Sequence, residues 1–392
     1  MSLSTLWQDC LSQLQDQVSP MDLSTWLRPL QADVISQDQV VLYASNMFVK
    51  SWVENHYLAQ IHQICQALAK NPNLHIIVKE GVKPAPKAVE PVDVNVAALK
   101  GPTSMGMVQM MKESDEGKIT SNNYKFEILS AVDEVTPKIV KGEVDIAAVP
   151  ANLSSVLYNK MEKNLQVLAI NTLGVLYICE TGDSIHSVAD LKGKTIYASG
   201  KGATPEYVLN YILEKNGLQV GTDVTIEWKS EHAECVQALA QDPNAIAMLP
   251  QPFVTAAAAK NDKIHTALDL TKEWDAIQAN EKNKSSLITG VVVARKDFVE
   301  AHPEAVMDFL EKYAASIKYV NENNDEAATM IESYDIIAAA VAKKALPFCN
   351  ITYIDGKEMK EKLSGYLSVL NEQNPKSVGG SLPEDDFYYG AN

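Results

Sequence analysis

Few side chains in this sequence stand at spacings that do chemistry. His232 and Cys235, three apart in SEHAECVQAL, would share one helix face as two metal ligands, but no second pair follows nearby. The tripeptide Gly193-Lys194-Thr195 ends like a phosphate-cradling loop, yet Val188 stands where that loop's first glycine belongs. The sequence has no GxSxG elbow and no HExxH. The remaining histidines, at 56, 62, 75, 186, 265 and 302, form no nucleophile-and-base pattern. Cys10, Cys65, Cys179, Cys235 and Cys349 are far apart, without a CxxC pair, as buried free thiols are. What recurs is a different feature: loops of small and polar residues, LKGPTS, VPANLSS, NTLG, SGKGATP and LPQP, each closing a β-rich run. Glycines let backbone N–H groups approach a ligand, and hydroxyls and amides orient it without burying an unpaired charge. Loops of that character suit contact with a ligand.

The elements that carry these loops read as an α/β fold. Residues 92–98, 125–131, 144–149 and 165–170 are short β-rich runs separated by helical segments, as in a parallel sheet. A second set covers 195–199, 224–228 and 245–249, and residues 286–294 return as a strand before helices over 301–321, 326–333 and 336–344. Ligands in open α/β sheets bind at the carboxyl ends of the strands. The pattern predicts two lobes, 92–185 plus 285–392 and 186–284, with chain crossings near 180–187 and Lys284. Two crossings make a hinge, with a ligand cleft between the lobes.

Ahead of this stands a different kind of sequence. Over residues 1–80 the order is α-α-β-β-α-β: Leu6, Cys10, Leu11, Leu14 and Val18 mark one helix face and Pro20 opens a second helix. Two strands follow around a polar turn, and Asn46 caps a long helix running to about Lys70. Such a unit is a small α+β domain with a helix-covered sheet. Residues 81–91, GVKPAPKAVEP, hold three prolines without apolar periodicity and predict an extended, semi-rigid tether.

Composition excludes several function classes. The 392 residues carry a net charge of −16. Residues 1–87 hold 6 Lys and Arg against 7 Asp and Glu, leaving 28 against 43 for the rest. Double-stranded DNA binding shows as a basic stripe, so direct contact with DNA is not expected. No run approaches the ~18 to 20 apolar residues of a membrane span. The N-terminal MSLSTLWQDCLSQLQDQ lacks the basic start and apolar run of a secretory signal, which predicts a cytoplasmic location for the chain as written.

Two resemblances sharpen these expectations. LWQDCLSQLQ, STWLRPLQA, LYASNMFVKSWV and the strand that closes the first unit resemble the N-terminal domain of the bacterial replication initiator DnaA. That resemblance implies a KH-like interaction platform, without ATPase activity, that self-associates and recruits the replicative helicase and initiator regulators. It places self-association at Trp7 and partner contact at Asp22, Asn46, Met47 and Phe48. Asp22 stands where relatives often carry Glu. The initiator's own ATPase and DNA-binding parts do not follow.

The second resemblance covers nearly all of 92–392. VAALKGPTSMGMV, KGEVDIAAVPANLSSVLYNK, SVADLKGKTIYASGKGATPEYVLNYILEKNGL, GVVVARKDFVEAHPEAVMDFLEKY and PEDDFYYG resemble the solute-binding proteins of ABC importers, in the nitrate, sulfonate, taurine and thiamine-precursor pyrimidine branch. It implies a two-lobed periplasmic-binding-protein-like (type II) fold whose closed form is presented to a membrane permease. The residues it implies around the solute are Gly101, Pro102, Thr103, Ser104, Asn152, Asn171, Thr172, Gly202, Ala203, Thr204, Gln251 and Gly290. Alternatives stay open at several of these. Thr204, Pro205 and Glu206 equally spell an ordinary helix start. Lys100 and Lys201 suit an anionic solute or plain solvation, and Met105, Met107, Met110 and Met111 suit a helix packing face. The same fold family includes eukaryotic thiamine-pyrimidine synthases, but their cysteine cluster is reduced here to Cys349, which argues against an enzyme. Together the two resemblances imply a fusion, with either half as its functional centre.

Overall fold

A computed structural model describes residues 6–15, 17–36, 38–84, 90–281 and 285–391. The chain divides into two compact units, Met1–Val89 and Glu90–Asn392.

In the first unit, β1 (Gln31–Ser36) pairs antiparallel with β2 (Gln39–Ala44), and β2 pairs parallel with β3 (His75–Glu80). Helices Leu6–Leu14 and Leu58–Ala69 cover this sheet, and their apolar faces meet over Cys10, Leu14, Val40, Leu42, Ile61 and Ile76. The Asn46 side chain accepts the Val49 N–H at 2.9 Å, so the expected cap is in place. The single long helix expected after it is two helices, Met47–His56 and Leu58–Ala69, parted at Tyr57. Just before the break the His56 ring bonds the Trp52 carbonyl at 2.9 Å. Of the tether, residues 85–89 lie outside the described residues.

The second unit holds two sheets. One runs in the order β14 (Ile351–Ile354), β7 (Gln166–Leu173), β13 (Ile288–Ala294), β6 (Ile146–Pro150), β4 (Asp93–Leu99), β5 (Asn123–Leu129). The other runs β10 (Thr225–Lys229), β9 (Thr195–Ser199), β11 (Ile246–Pro250), β8 (Leu176–Glu180), β12 (His265–Asp269). Each is a lobe with helices packed on its faces. Neither sheet is wholly parallel, contrary to expectation. β13 returns from the second lobe and runs antiparallel between β6 and β7, and β8 runs antiparallel between β11 and β12.

The first crossing also moves. β8 belongs to the second sheet, so the chain changes lobes between Leu173 and Leu176, not near residues 180–187. The return passes residues 282–284, outside the described ones, and reaches β13 at Ile288. At the first crossing, a Cβ on Gly174 would lie 2.2 Å from Thr271 Oγ1 and 2.7 Å from Leu287 Cδ2. Only glycine lets the outgoing strand pass so close to the returning one.

The C-terminal helix Gly356–Gln373 spans the seam. It packs on β7 and on helix Thr204–Lys215 of the second lobe. Between them, Tyr366, Trp274 and Tyr211 form an aromatic cluster with centroids 5.7 and 4.6 Å apart. Trp274 is fully buried and its indole N–H donates to Ser285 Oγ at 3.1 Å. Burying that much ring surface anchors the helix across both lobes.

Candidate functional site

Between the lobes lies a cleft of about 450 Å³. Thr103, Val132, Pro150, Asn152, Leu153 and Thr289 line it from the first lobe, Ala203, Thr204, Pro205, His232 and Pro250 from the second, and Val175 and Leu176 from the crossing. Its walls are mostly apolar, and no Lys, Arg, Asp or Glu is among these residues.

Three helices begin at the cleft, Val132–Lys141, Ala151–Lys160 and Thr204–Lys215. The residues ahead of them, Ala131, Pro150 and Ala203, supply no side-chain cap. Uncapped first-turn N–H groups carry the positive end of the helix dipole and suit an anionic group. First-turn carboxylates already complement two of these starts, Glu134 accepting the Ser130 N–H and Glu206 the Gly202 N–H, while Ala151–Lys160 has no acidic residue in its first turn. Helix His232–Gln241 is closed more fully, by a Glu231–Glu234 capping box.

Four of the twelve expected solute residues, Thr103, Asn152, Ala203 and Thr204, reach the cleft. Across it, Thr204 Oγ1 donates to Asn152 Oδ1 at 3.2 Å, a direct bond between the lobes, while Asn152 Nδ2 donates to the Ser377 carbonyl at 3.2 Å. Others stand behind the cleft wall. Asn171 donates to the Thr103 carbonyl at 3.2 Å and accepts from Thr172 Oγ1 at 3.0 Å, and both are buried. A Cβ on Gly290 would fall 2.5 Å from Asn171 Oδ1 and from Thr103 Cγ2, so this glycine makes room for the loop. Ser104 is fully buried and bonds the Gly101 carbonyl at 3.0 Å. Gly101, at φ +126°, and Pro102 shape the turn without lining the cleft.

The remaining two lie elsewhere. Gly202, exposed at φ +78°, gives its N–H to Glu206 Oε2 at 2.6 Å. Gln251 is buried with its side chain toward Thr255, in a separate cavity of about 530 Å³ edged by Tyr177, Lys344 and Phe348. Lys100 pairs with Asp335 at 3.4 Å, and the four methionines are buried in the core.

Sequence reasoning missed the apolar lining residues Val132, Leu153, Val175 and Leu176, as well as Thr289 and His232, the last weighed only as a partner of Cys235. His232 follows the end of β10, so the strand-end rule that picked the other loops would have found it. Its Nδ1 lies 2.5 Å from Ser199 Oγ and its ring 4.8 Å from that of Phe253. Burial holds it below its ordinary value of 6.5, which favours the neutral imidazole. Burial also pushes the Cys235 thiol up to about 11, and its Sγ faces the Glu231 carbonyl. Among the described residues no cluster of three His, Cys, Asp or Glu could hold a metal ion.

In the first unit, Trp7 is only 7% exposed and its indole N–H donates to the Leu30 carbonyl at 3.2 Å. Its side chain packs in the domain core, which does not suit the exposed self-association surface expected of it. Phe48 and Met47 are 66% and 54% exposed, beside Met21 at 75%. Phe48 leads an aromatic run with Trp26, Trp52 and His56, in which Trp26 and Trp52 stack at 5.1 Å. Asp22, half-buried, accepts the Ser19 hydroxyl at 2.7 Å.

Residues 114–345 match the family model described as ABC transporter, phosphonate, periplasmic substrate-binding protein. The chain belongs to this family. Residues 4–67 match the DnaA N-terminal domain. Over 81 residues the chain is 44% identical to the chromosomal replication initiator protein DnaA of Psychromonas ingrahamii, covering 20% of this chain and 17% of the relative. The chain thus spans less than a fifth of that curated relative's length.

Among solved structures, an ABC transporter protein from Parabacteroides distasonis shares 22% identity at TM-score 0.63, covering 75% of this chain and 98% of that one. The periplasmic aliphatic sulphonate binding protein of Escherichia coli shares 17% at 0.61, covering 77% and 93%. The alkanesulfonate-binding protein of Xanthomonas axonopodis pv. citri, bound to MOPS, shares 14% at 0.54, covering 76% and 96%. At these identities they show the fold: two-lobed and periplasmic-binding-protein-like. No helix among the described residues is long and apolar enough to cross a membrane.

The state of His232 is testable through stability. A histidine whose folded value is depressed costs stability as pH falls below its unfolded value of 6.5, until the folded form also protonates. Between pH 7.5 and 5, the wild type should lose more stability in urea titrations than His232→Gln. Equal losses would mean that the imidazole is solvated.

Proposed function

We propose that the larger unit is the solute-capturing component of an ABC importer, and that its solute is a small organic molecule with a tetrahedral oxyanion head, a phosphonate or sulfonate. The carrying observation is the pairing of uncapped helix starts with apolar walls in one cleft. The helix N–H groups, Thr103, Thr204 and neutral His232 would hold the head, and Val132, Leu153, Val175 and Leu176 would hold a short organic tail. The family model's description and the sulfonate-binding relatives support the same head-group chemistry.

A volume of about 450 Å³ is too roomy for nitrate alone. A pyrimidine ring would ask for paired donors and acceptors that these walls do not offer. Closure of the lobes around the solute would exclude water and present the complex to a permease on the extracytoplasmic side, where the family works. Capture and release is the activity. The hydroxyl that His232 holds, Ser199, is buried and does not line the cleft.

For the smaller unit the reading is a protein-interaction platform, favoured by the exposed Phe48, which lies against the Trp26–Trp52 stack next to the exposed Met47. Its partners would be those of the initiator's first domain: the replicative helicase, initiator regulators or a second copy. Direct contact with double-stranded DNA is not part of this reading.

Thermal unfolding tests the first reading. At ligand concentrations ~100-fold above Kd, a cognate solute stabilises its unit by about 2.7 kcal/mol. Short alkylphosphonates or alkylsulfonates should raise the larger unit's midpoint by several degrees, and nitrate should not. No shift with either class would refute it. For the second reading, Phe48→Ala should abolish retention of the replicative helicase on the immobilised chain while leaving the unfolding midpoint nearly unchanged, because Phe48 is exposed.

A further inference from the structure

The core of the smaller unit holds two free thiols, Cys10 and Cys65, both buried and both in the same apolar cluster. They sit on different helices, Leu6–Leu14 and Leu58–Ala69, whose Cα atoms come within 8 Å of one another. At one end of this pair Gln60 Nε2, in the first turn of the later helix, donates at 2.7 Å to Gln17 Oε1, just past the end of the earlier one. At the other end Leu6 and Trp7, one turn before Cys10, share a cavity wall with Cys65. The helices are therefore antiparallel. Counted inward from the two glutamines at ~1.5 Å per residue, Cys10 lies about 10 Å back along one helix and Cys65 about 8 Å forward along the other, so the thiols stand at one level.

Their acidities agree with that placement. Interaction with Cys65, and then burial, holds the Cys10 thiol above its ordinary value, while interaction with Cys10 lowers that of Cys65 against the opposing effect of burial. The two also differ in access. Cys65 lines a cavity of about 240 Å³, and Cys10 does not. Asp33 and Lys83 stand on the wall of that cavity, paired at 3.3 Å and partly exposed, so it reaches the surface there. Its volume is several times the ~30 Å³ share of one water in the liquid, which leaves room for hydrogen peroxide.

We propose that Cys10 and Cys65 are an oxidisable pair: a peroxide entering the cavity converts Cys65 to its sulfenic acid, and Cys10 then closes a disulfide between the two helices. In the first step the Cys65 thiolate takes one peroxide oxygen as the O–O bond breaks, and the hydroxide that leaves takes up the thiol's proton to become water. In the second the Cys10 sulfur attacks the Cys65 sulfur, the S–S bond forms as the S–O bond breaks, and the hydroxyl leaves with the Cys10 proton as a second water. Two electrons pass from the thiols to the peroxide. The bond closes the whole segment from Cys10 to Cys65, which restricts the unfolded chain and stabilises the smaller unit. The other thiols provide the comparison. Burial pushes Cys179 and Cys349 up to about 12 and Cys235 up to about 11, and none of the three lines this cavity or the interlobe cleft.

The test treats the native full chain with hydrogen peroxide, blocks the remaining thiols and maps the unreduced peptides by mass. A cross-linked Cys10–Cys65 peptide, lighter by two hydrogens than its parts, should appear before any change at Cys179, Cys235 or Cys349. In Cys10→Ala, quenched into urea with dimedone, the sulfenic-acid label should fall on Cys65, whereas Cys65→Ala should label Cys10 at least about tenfold more slowly. Cross-linking should raise the smaller unit's calorimetric midpoint by about 10 degrees, and a thiol reductant should reverse the rise.

A native wild type that forms no Cys10–Cys65 bond overturns the proposal, and this readout needs no substitution. A bond that appears only together with oxidation at the other three cysteines overturns it too, because the thiols would then be reacting in the unfolded chain. Faster labelling of Cys10 than of Cys65 overturns the assigned order of the two. A cross-link that lowers the midpoint or leaves it unchanged overturns its fit to the native helices.

Discussion

The close approach of two chain crossings at Gly174 is the constraint on which the larger unit depends. β7 and β8 are separated by two residues, and the segment carrying Leu287 returns against the same point. No side chain fits between Gly174 and its neighbours Thr271 and Leu287. The hinge is therefore packed, and Asn350 adds a bond to the Gly174 carbonyl. The two lobes meet again away from this crossing, where Thr204 and Asn152 bond. Val175 and Leu176, at the crossing, also line the cleft.

Electrostatics follows from that geometry. The unit is strongly acidic overall, yet its cleft is lined by neutral residues, and the helix start at Ala151 reaches it without an N-cap side chain or a first-turn carboxylate. A buried lysine or arginine would demand a counter-charge in the empty state and cling to an anion in the filled one. Neutral donors accept water in one state and solute in the other, which suits reversible capture. The depressed basicity of His232 fits the same pattern, since a neutral ring can donate without carrying a charge into the empty cleft.

Much of this was legible in the sequence because burial leaves apolar runs. β4, β6, β7, β11 and β13 fall on such runs, while β5 and β10 show the alternation of half-exposed strands. β8 was missed because the preceding run was closed at Ile170, with NTLG as its loop, and the crossing placed near 180–187, whereas β7 runs on to Leu173 and β8 begins at Leu176. β12 (His265–Asp269) has a single buried residue, Leu268, and β14 (Ile351–Ile354) has only four residues, so neither gives a clear strand pattern. Of the site, Thr103, Asn152, Ala203 and Thr204 followed from strand-end position and small polar character. Asn171, Thr172 and Gly290 share that character but face the back of the Thr103 loop, and residue type carries no record of direction. Gln251 likewise sits at a strand end yet turns into another cavity. Trp7 and Phe48 are both aromatics near helix starts, and only packing separates the buried one from the exposed one.

The central claim is that one cleft combines an oxyanion pole with an apolar wall. Its most direct test is calorimetric affinity across inorganic phosphate and the methyl, ethyl, propyl and butyl phosphonates. The account predicts weak or undetectable phosphate binding, with affinity growing by up to about 0.8 kcal/mol per methylene until the cavity is full. Phosphate binding as tightly as the longest phosphonate, or affinity falling with every added carbon, would contradict it.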